Sequence, residues 1–262
     1  MERIRMLQTA VEAARRAGRV LAERYPAGRS VSVKGYRDLV TDADTAAEAV
    51  ILDLIRARFP DHTIISEEAG GGEISSGYTW VVDPLDGTTN YAHRHPVFAV
   101  SIGVLERGEP LIGVIHDPLR DQTFVAERGG GARFNGAPMH VSRVAGLRDA
   151  LVGLDWGHAD EVRERILVYL HRVVPRCGTL RVLGSATLAL AYVGAGWLDA
   201  YFHLALQPWD AAAGMLIVAE AGGRCGTLEG EHYRVGVPGC VATNGFIHEE
   251  LLAVLRGPDV FA

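Results

Sequence analysis

Apolar residues recur at helical spacing from the start of the chain: Ile4, Leu7, Val11, Ala14 and Leu21, with arginines and glutamates between them. This predicts a long amphipathic first helix, stopped by Tyr25, Pro26, Ala27 and Gly28. The period then changes. Residues 30–34 alternate as a strand does, Thr41 and Asp42 offer a helix N-cap, and residues 46–59 return to helical spacing until Pro60. Residues 62–65 read as a short strand leading into Ser66, Glu67 and Glu68. Apolar or β-branched runs follow at 79–82, 98–106, 111–116 and 123–127, with turns at 107–109 and 129–131. A second set starts with a strand at 151–154. It continues with helices at 159–174 and 185–193, a strand at 198–203, a helix at 211–221 closed by Gly222 and Gly223, and a last helix at 248–255.

Strand runs in blocks, divided by helix pairs, predict layered sheets and not strict βαβ alternation. The weakly patterned stretch 142–150 divides the chain into subdomains 1–145 and 146–262. With 262 residues, 48% hydrophobic and 22% charged, the chain can bury a large core, and disorder is excluded as its main state. The net charge of -6 and the lack of a dense Lys/Arg run argue against a nucleic-acid binder. Three cysteines, Cys177, Cys225 and Cys240, without a Cys-x-x-Cys pair, argue against a disulfide framework or a structural zinc site. No apolar run reaches signal-peptide or membrane-spanning length, so a cytoplasmic protein without a membrane partner is expected.

Carboxylates gather in four stretches at the edges of elements, beside apolar residues: DLVTDAD (38–44), SEEAG (66–70), DPLDGTTN (83–90) and PWDAAAG (208–214). Buried carboxylates are costly unless paired or bound to a cation, and hard oxygen ligands suit Mg²⁺. Each stretch also has a plainer reading. Asp83-Pro84 and Asp86-Gly87 are common turn dipeptides, and Asp210 before a helix serves as an N-cap. Glu67 and Glu68 read as a solvated pair, and Asp44 as a solvent-facing acid in the first turn of its helix.

Taken together, the four stretches resemble the inositol monophosphatase family of metal-dependent phosphatases, in the family's order and over nearly the whole chain. WVVDPLDGTTNY (80–91) and PWDAAAGMLIVAEAGG (208–223) are similar to its two diagnostic motifs. The resemblance implies an α+β or α/β fold, a layered α-β-α-β-α sandwich of the sugar-phosphatase type, in a homodimer. It implies two or three Mg²⁺ ions held by Glu67, Asp83, Asp86, Asp210 and the Leu85 carbonyl, with Asp83 between two of them. Subdomain 1–145 would carry most of these ligands, and 146–262 would complete one catalytic unit. It also implies that Gly87, Thr88 and Thr89 seat the phosphate, that Thr88, hydrogen-bonded to Asp44, orients the attacking water, and that Glu67 helps activate it. The phosphate then passes directly to water, and lithium inhibits.

The substrate end departs from the family's pattern. In DAYFHLALQPWD, His203 stands where relatives that cleave inositol phosphates carry a glutamate. A histidine there binds a hydroxyl or a second phosphate, or is simply a hydrogen-bonded strand residue, and its charge changes near neutral pH. Ser185 and Ala186 match a substrate-lining turn, although Ser185 also fits a helix cap. Lys34 matches a lysine position near the site in relatives. Arg163, Arg165, Arg176 and Arg181 are candidates for a second-phosphate pocket. His93 and His95 are read as loop histidines and not as a transition-metal pair. The expected substrate is a small sugar or polyol monophosphate, with inositol-1-phosphate first and fructose-1,6-bisphosphate or histidinol phosphate as alternatives. A non-catalytic regulatory binding role is the reading from a different class.

Overall fold

The computed structural model describes residues 1–25, 31–35 and 38–258. Its first helix, α1 (Glu2–Arg24), forms as predicted, but of the predicted stripe only Ala14 and Leu21 are buried, Leu7 and Val11 are half-buried and Ile4 is exposed, because the buried face runs through Met6, Ala10, Ala13 and Ala17. The predicted stop at Pro26 to Gly28 lies outside the described residues. Strands β1 (Val31–Gly35) and β2 (Asp38–Thr41) form an antiparallel hairpin. Helix α2 (Asp42–Arg58) begins where the N-cap signal placed it: Thr41 caps it and Asp44 closes a capping box onto Thr41.

A large sheet follows. It comprises β3 (Thr63–Ser66), β4 (Gly70–Gly71), β5 (Tyr78–Asp86), β6 (Ala99–Glu106), β7 (Glu109–Asp117), β8 (Gln122–Glu127), β9 (Gly131–Phe134) and β10 (Ala137–Pro138). A short helix, α3 (Thr88–Ala92), sits between β5 and β6. The strand order is β10-β9-β8-β7-β6-β5-β3-β4, antiparallel except for β3 beside β5. The remaining strands, β11 (Leu151–Leu154), β12 (Thr179–Val182), β13 (Ala200–His203), β14 (Arg224–Gly226) and β15 (Cys240–Thr243), form a second sheet in the order β12-β11-β13-β15-β14. Its helices are α4 (Asp160–Val173), α5 (Ala186–Gly194), α6 (Pro208–Glu220) and α7 (His248–Leu255).

The layering follows from which faces are apolar. Helices α1 and α2 cover one face of the large sheet with Met6, Ala10, Ile51 and Ile55 against Trp80, Val82, Val100 and Ile102. Helices α4 and α7 cover the outer face of the small sheet with Ile166, Leu251 and Leu255. Helices α5 and α6 lie between the sheets and are buried on nearly all sides, which is why their sequences are apolar all round. The stack is α-β-α-β-α, as expected.

One contact sets the height of α6. Gly103 and Gly113 pair across β6 and β7. A Cβ on Gly113 would stand 2.6 Å from the Ala213 carbonyl oxygen, and one on Gly103 would stand 2.9 Å from the Ala212 Cβ. The two bare positions let the backbone of α6 settle onto the sheet. Among the described residues no helix is long and apolar enough to cross a membrane.

Candidate metal centre

The stretch that reads as a turn at Asp83–Asp86 is the end of a strand. β5 runs through both aspartates, and its register against β6 slips between them, with Asp83 opposite Ser101 and Asp86 opposite Ala99. Three steps on β5 therefore face two on β6, which is a β-bulge. In a regular strand, side chains three apart point to opposite faces, and the extra residue brings both acids to one side. Pro84 sits inside the bulge, where no ladder N–H is required. The Leu85 N–H donates to Asp83 Oδ1 at 3.0 Å, which fixes that carboxylate.

Asp210 arrives from the other end of the sequence. It occupies the third position of α6, not the N-cap, and its Oδ2 accepts the Gln207 N–H at 2.7 Å. Asp83, Asp86 and Asp210 each offer one oxygen to a common point, and these oxygens lie within 4.8 Å of one another. Asp86 Oδ2 accepts from the Ser185 hydroxyl, from the Thr187 N–H at 2.9 Å and from the Thr187 hydroxyl at 2.6 Å. Each carboxylate thus commits one oxygen to protein donors and keeps a second for a ligand. Burial, followed by the charges of Glu67, Asp86 and Asp210, pushes the Asp83 carboxyl well above the usual range. Burial and the Asp86 charge do the same to Asp210. An all-oxygen cluster of mutually repelling carboxylates fits a hard divalent cation, whose charge would restore the ionised forms.

Glu67 follows β3, and its backbone N–H donates to the Val82 carbonyl at 3.1 Å, one residue before Asp83. Its charge acts on both Asp83 and Asp210. Asp44 is fully buried and does not face solvent. Its Oδ2 accepts the Thr41 N–H and hydroxyl at 2.9 and 2.5 Å, and its Oδ1 accepts the Thr88 hydroxyl at 3.2 Å. Burial still raises its pKa, against the lowering effect of those bonds. The Thr88 hydroxyl also reaches the Leu85 carbonyl at 2.9 Å. Gly87 caps α3 with φ 91°, where a Cβ would stand 2.9 Å from the Val97 carbonyl oxygen, so glycine is required. Thr89 is exposed beside it.

At the substrate end, Ser185 caps α5 and directs its hydroxyl to Asp86, and Ala186 opens the helix. His203 is 5% exposed. Its Nδ1 accepts the Ala205 N–H at 3.0 Å, so the proton of the neutral ring sits on Nε2. Burial, with the nearby His158, lowers its pKa to about 4, so the ring is neutral at physiological pH and its charge does not change there. Arg163 Nε donates to the Gly157 carbonyl, Arg176 bonds the Arg172 carbonyl, and Arg181 bonds Thr179 and Leu180, so these three share no partner. Arg165 is exposed on α4, and His93 and His95 are exposed in the loop after α3. Lys34 lies in β1, and its side chain lies outside the described residues.

Three supporting residues were not anticipated. Thr187 holds Asp86 with two bonds, and it stands two residues after the predicted Ser185. Asp155 follows β11 and accepts the Gly184 N–H at 2.8 Å and the Tyr201 hydroxyl at 3.1 Å, tying down the turn before Ser185. Burial pushes its pKa up to about 7. Glu48 is buried on α2, at i+4 from Asp44 on the stripe that continues to Ile51 and Ile55. An acid on an apolar stripe was the signal available in the sequence.

The family model described as "Inositol monophosphatase family" matches residues 2–257. "Nus factor SuhB" of Escherichia coli strain K12 is 42% identical over 257 residues, covering 96% of each chain. "Fructose-1,6-bisphosphatase/inositol-1-monophosphatase" of Thermotoga maritima is 37% identical, covering 95% of each. Among solved structures, the extragenic suppressor protein suhB of Bartonella henselae superposes with TM-score 0.91 at 37% identity, covering 96% of this chain and 98% of that one. The IMPase of Thermotoga maritima superposes with TM-score 0.88 at 35% identity, covering 98% and 97%.

Proposed function

We propose that this chain, which belongs to the inositol monophosphatase family, hydrolyses a small sugar or polyol phosphate monoester with Mg²⁺, inositol-1-phosphate being the first candidate. The observation that supports this most is the convergence of Asp83, Asp86 and Asp210 within 4.8 Å, with the Glu67 charge acting on the same cluster. Fructose-1,6-bisphosphate follows as a substrate because of the Thermotoga maritima relative's printed name, and histidinol phosphate is the third candidate.

Asp83, Asp86, Asp210, Glu67 and the Leu85 carbonyl would hold Mg²⁺. Bound there, the cation supplies positive charge against the phosphate dianion and makes water a better nucleophile. The remaining work falls to the chain. The Thr88 hydroxyl donates towards Asp44 or Leu85 O, so its lone pair is left to accept a hydrogen from the attacking water. That orients the water's own lone pair towards phosphorus. Glu67 takes the proton that the water releases. The new P–O bond forms as the ester P–O bond breaks, and the departing alkoxide leaves as the alcohol by taking a proton from solvent, to which Glu67 returns the one it accepted. The backbone N–H groups of Gly87, Thr88 and Thr89 receive phosphate oxygens. At the sugar end, the His203 Nε2–H presents a donor where inositol-cleaving relatives present an acceptor. This favours a substrate with an acceptor at that position.

A release assay for inorganic phosphate tests the reading. Its substrates are inositol-1-phosphate, fructose-1,6-bisphosphate, histidinol phosphate and NADP⁺, each with and without Mg²⁺. Turnover of at least one of them, dependent on Mg²⁺, is expected, and silence on all four sinks the proposal. The 42% identity to a Nus factor favours a second reading, a regulatory binding role. Turnover in vitro, together with an unchanged cellular phenotype for Asp83→Asn, would favour that role. The cytoplasmic setting and the homodimer also belong to this proposal.

A further inference from the structure

Helix α2 carries two buried acids one turn apart, and each clamps a different loop of the site. Asp44 holds Thr41 and Thr88. Glu48 is 6% exposed, and its Oε1 accepts the Ser66 hydroxyl at 2.5 Å, the Ala69 N–H at 2.9 Å and the Glu68 N–H at 3.2 Å. These three donors bracket Glu67 on both sides. Ser66 also pairs with Gly70 of β4, and the Glu67 N–H bonds the Val82 carbonyl, so the Glu48 bonds complete the fixing of this turn. The Glu67 charge also acts on Asp83 and Asp210, and that repulsion opposes the orientation in which Glu67 faces the cluster.

We propose that Glu48 is a positioning residue for the metal centre: it locks the 66–69 turn so that Glu67 faces the Asp83–Asp86–Asp210 cluster. Asp44 and Glu48 then make α2 a spacer. Four residues of helix rise by about 6 Å, so a rigid rod sets the separation between the turn that carries Glu67 and the turn that carries Thr88. The hydroxyl that orients water and the carboxylate that receives its proton keep their spacing through this rod. The inference rests on the reading of Glu67 as a member of the metal site, and the test separates the two.

Mn²⁺ binding to the purified protein is measured by calorimetry, without substrate, for wild type, Glu48→Ala, Glu48→Gln, Glu67→Gln and the double variant Glu48→Ala/Glu67→Gln. Loss of a group that orients a metal ligand typically weakens affinity about 10–100-fold, and Glu48→Ala should fall in that range. Glu48→Gln keeps an oxygen that accepts the same three donors and should stay within a few-fold of wild type. The double variant should bind no worse than Glu67→Gln, because both changes remove the same ligand. Wild-type affinity for Glu48→Ala beside a weakened Glu67→Gln overturns the proposal, and so does full additivity in the double variant. Wild-type affinity for Glu67→Gln overturns the premise instead. If Glu48→Ala does not fold, Ser66→Ala removes one of the three donors and should still weaken Mn²⁺ measurably, and an unchanged affinity there counts against the clamp.

Discussion

Replacing Gly113 with alanine tests how the helix that carries Asp210 is held at its height. The backbone at Gly113 is not in the left-handed region, so alanine is conformationally permitted. By the unfolded-state argument alone, the change should stabilise the protein by about 0.4–1 kcal/mol. Contact reverses the sign. The new methyl would stand 2.6 Å from the Ala213 carbonyl oxygen and 3.0 Å from its Cα, both backbone atoms that cannot rotate away. An ordinary contact is about 3.5 Å, so α6 must lift by roughly 1 Å. Overpacking of this kind costs about 1–3 kcal/mol. Asp210 lies three residues earlier on the same helix and moves with it, and a misplacement of about 1 Å is worth up to about 10²-fold in rate. Thermal unfolding should show a Tm lowered by several degrees, about 2–4 °C for each kcal/mol in a chain of this size. Calorimetric titration should show weakened Mg²⁺ binding. A Tm equal to or above wild type, with unchanged Mg²⁺ affinity, would refute the claim that the Gly103–Gly113 contact sets the position of Asp210.

Asp83→Asn should abolish phosphate release while the protein stays folded. Because Asp83 is held well above the ordinary 3.8 in the folded state, its ionisation destabilises the metal-free protein at neutral pH. In EDTA the variant should therefore melt higher than wild type, and the gap should close as pH falls through the raised value towards 3.8. Mg²⁺ should raise the Tm of wild type in a saturable way and leave Asp83→Asn nearly unchanged, as scanning fluorimetry can check. Thr88→Val keeps the side-chain shape but removes the hydroxyl, and should lower kcat by about 10²-fold with Mg²⁺ binding retained. The neutral His203 has a folded value near 4 against an ordinary 6.5, so the unfolded chain gains a proton first as pH falls. Between pH 8 and 5, wild type should lose about 2 kcal/mol more stability in urea titrations than His203→Gln, and equal losses would contradict the buried placement.

The long helices were legible because several turns of 3.6-residue spacing leave little ambiguity. The extent of α1 and most of α2 match the structure, although the buried face of α1 runs through Met6, Ala10 and Ala17, to one side of the predicted stripe. Short strands were legible only where an apolar run marked them, as at β3, β11 and β13. Strands β9, β10, β12, β14 and β15 hold two to four residues each, too few for alternation to register. The start of α6 was signalled by Pro208, a residue favoured in the first helical turn, but the apolar run masked it and moved the expected start to residue 211. The bulge in β5 was hidden for another reason. Asp-Pro and Asp-Gly have the local signature of a turn, and only pairing with β6 shows that the chain continues straight through them.

The sequence by itself singled out the candidate residues of the site. Carboxylates set beside apolar runs at four separated places announce an oxygen-ligand site, and the family resemblance orders their roles. Only the tertiary structure decided how they meet. Asp83 and Asp86 share a face because a strand register slips by one residue, and Asp210 reaches them because two glycines on neighbouring strands admit a helix backbone. The supports Glu48, Asp155 and Thr187 also became visible only in three dimensions. Local pattern encodes burial and period, whereas strand register, close backbone approach and the partner of a buried acid depend on residues distant in the chain.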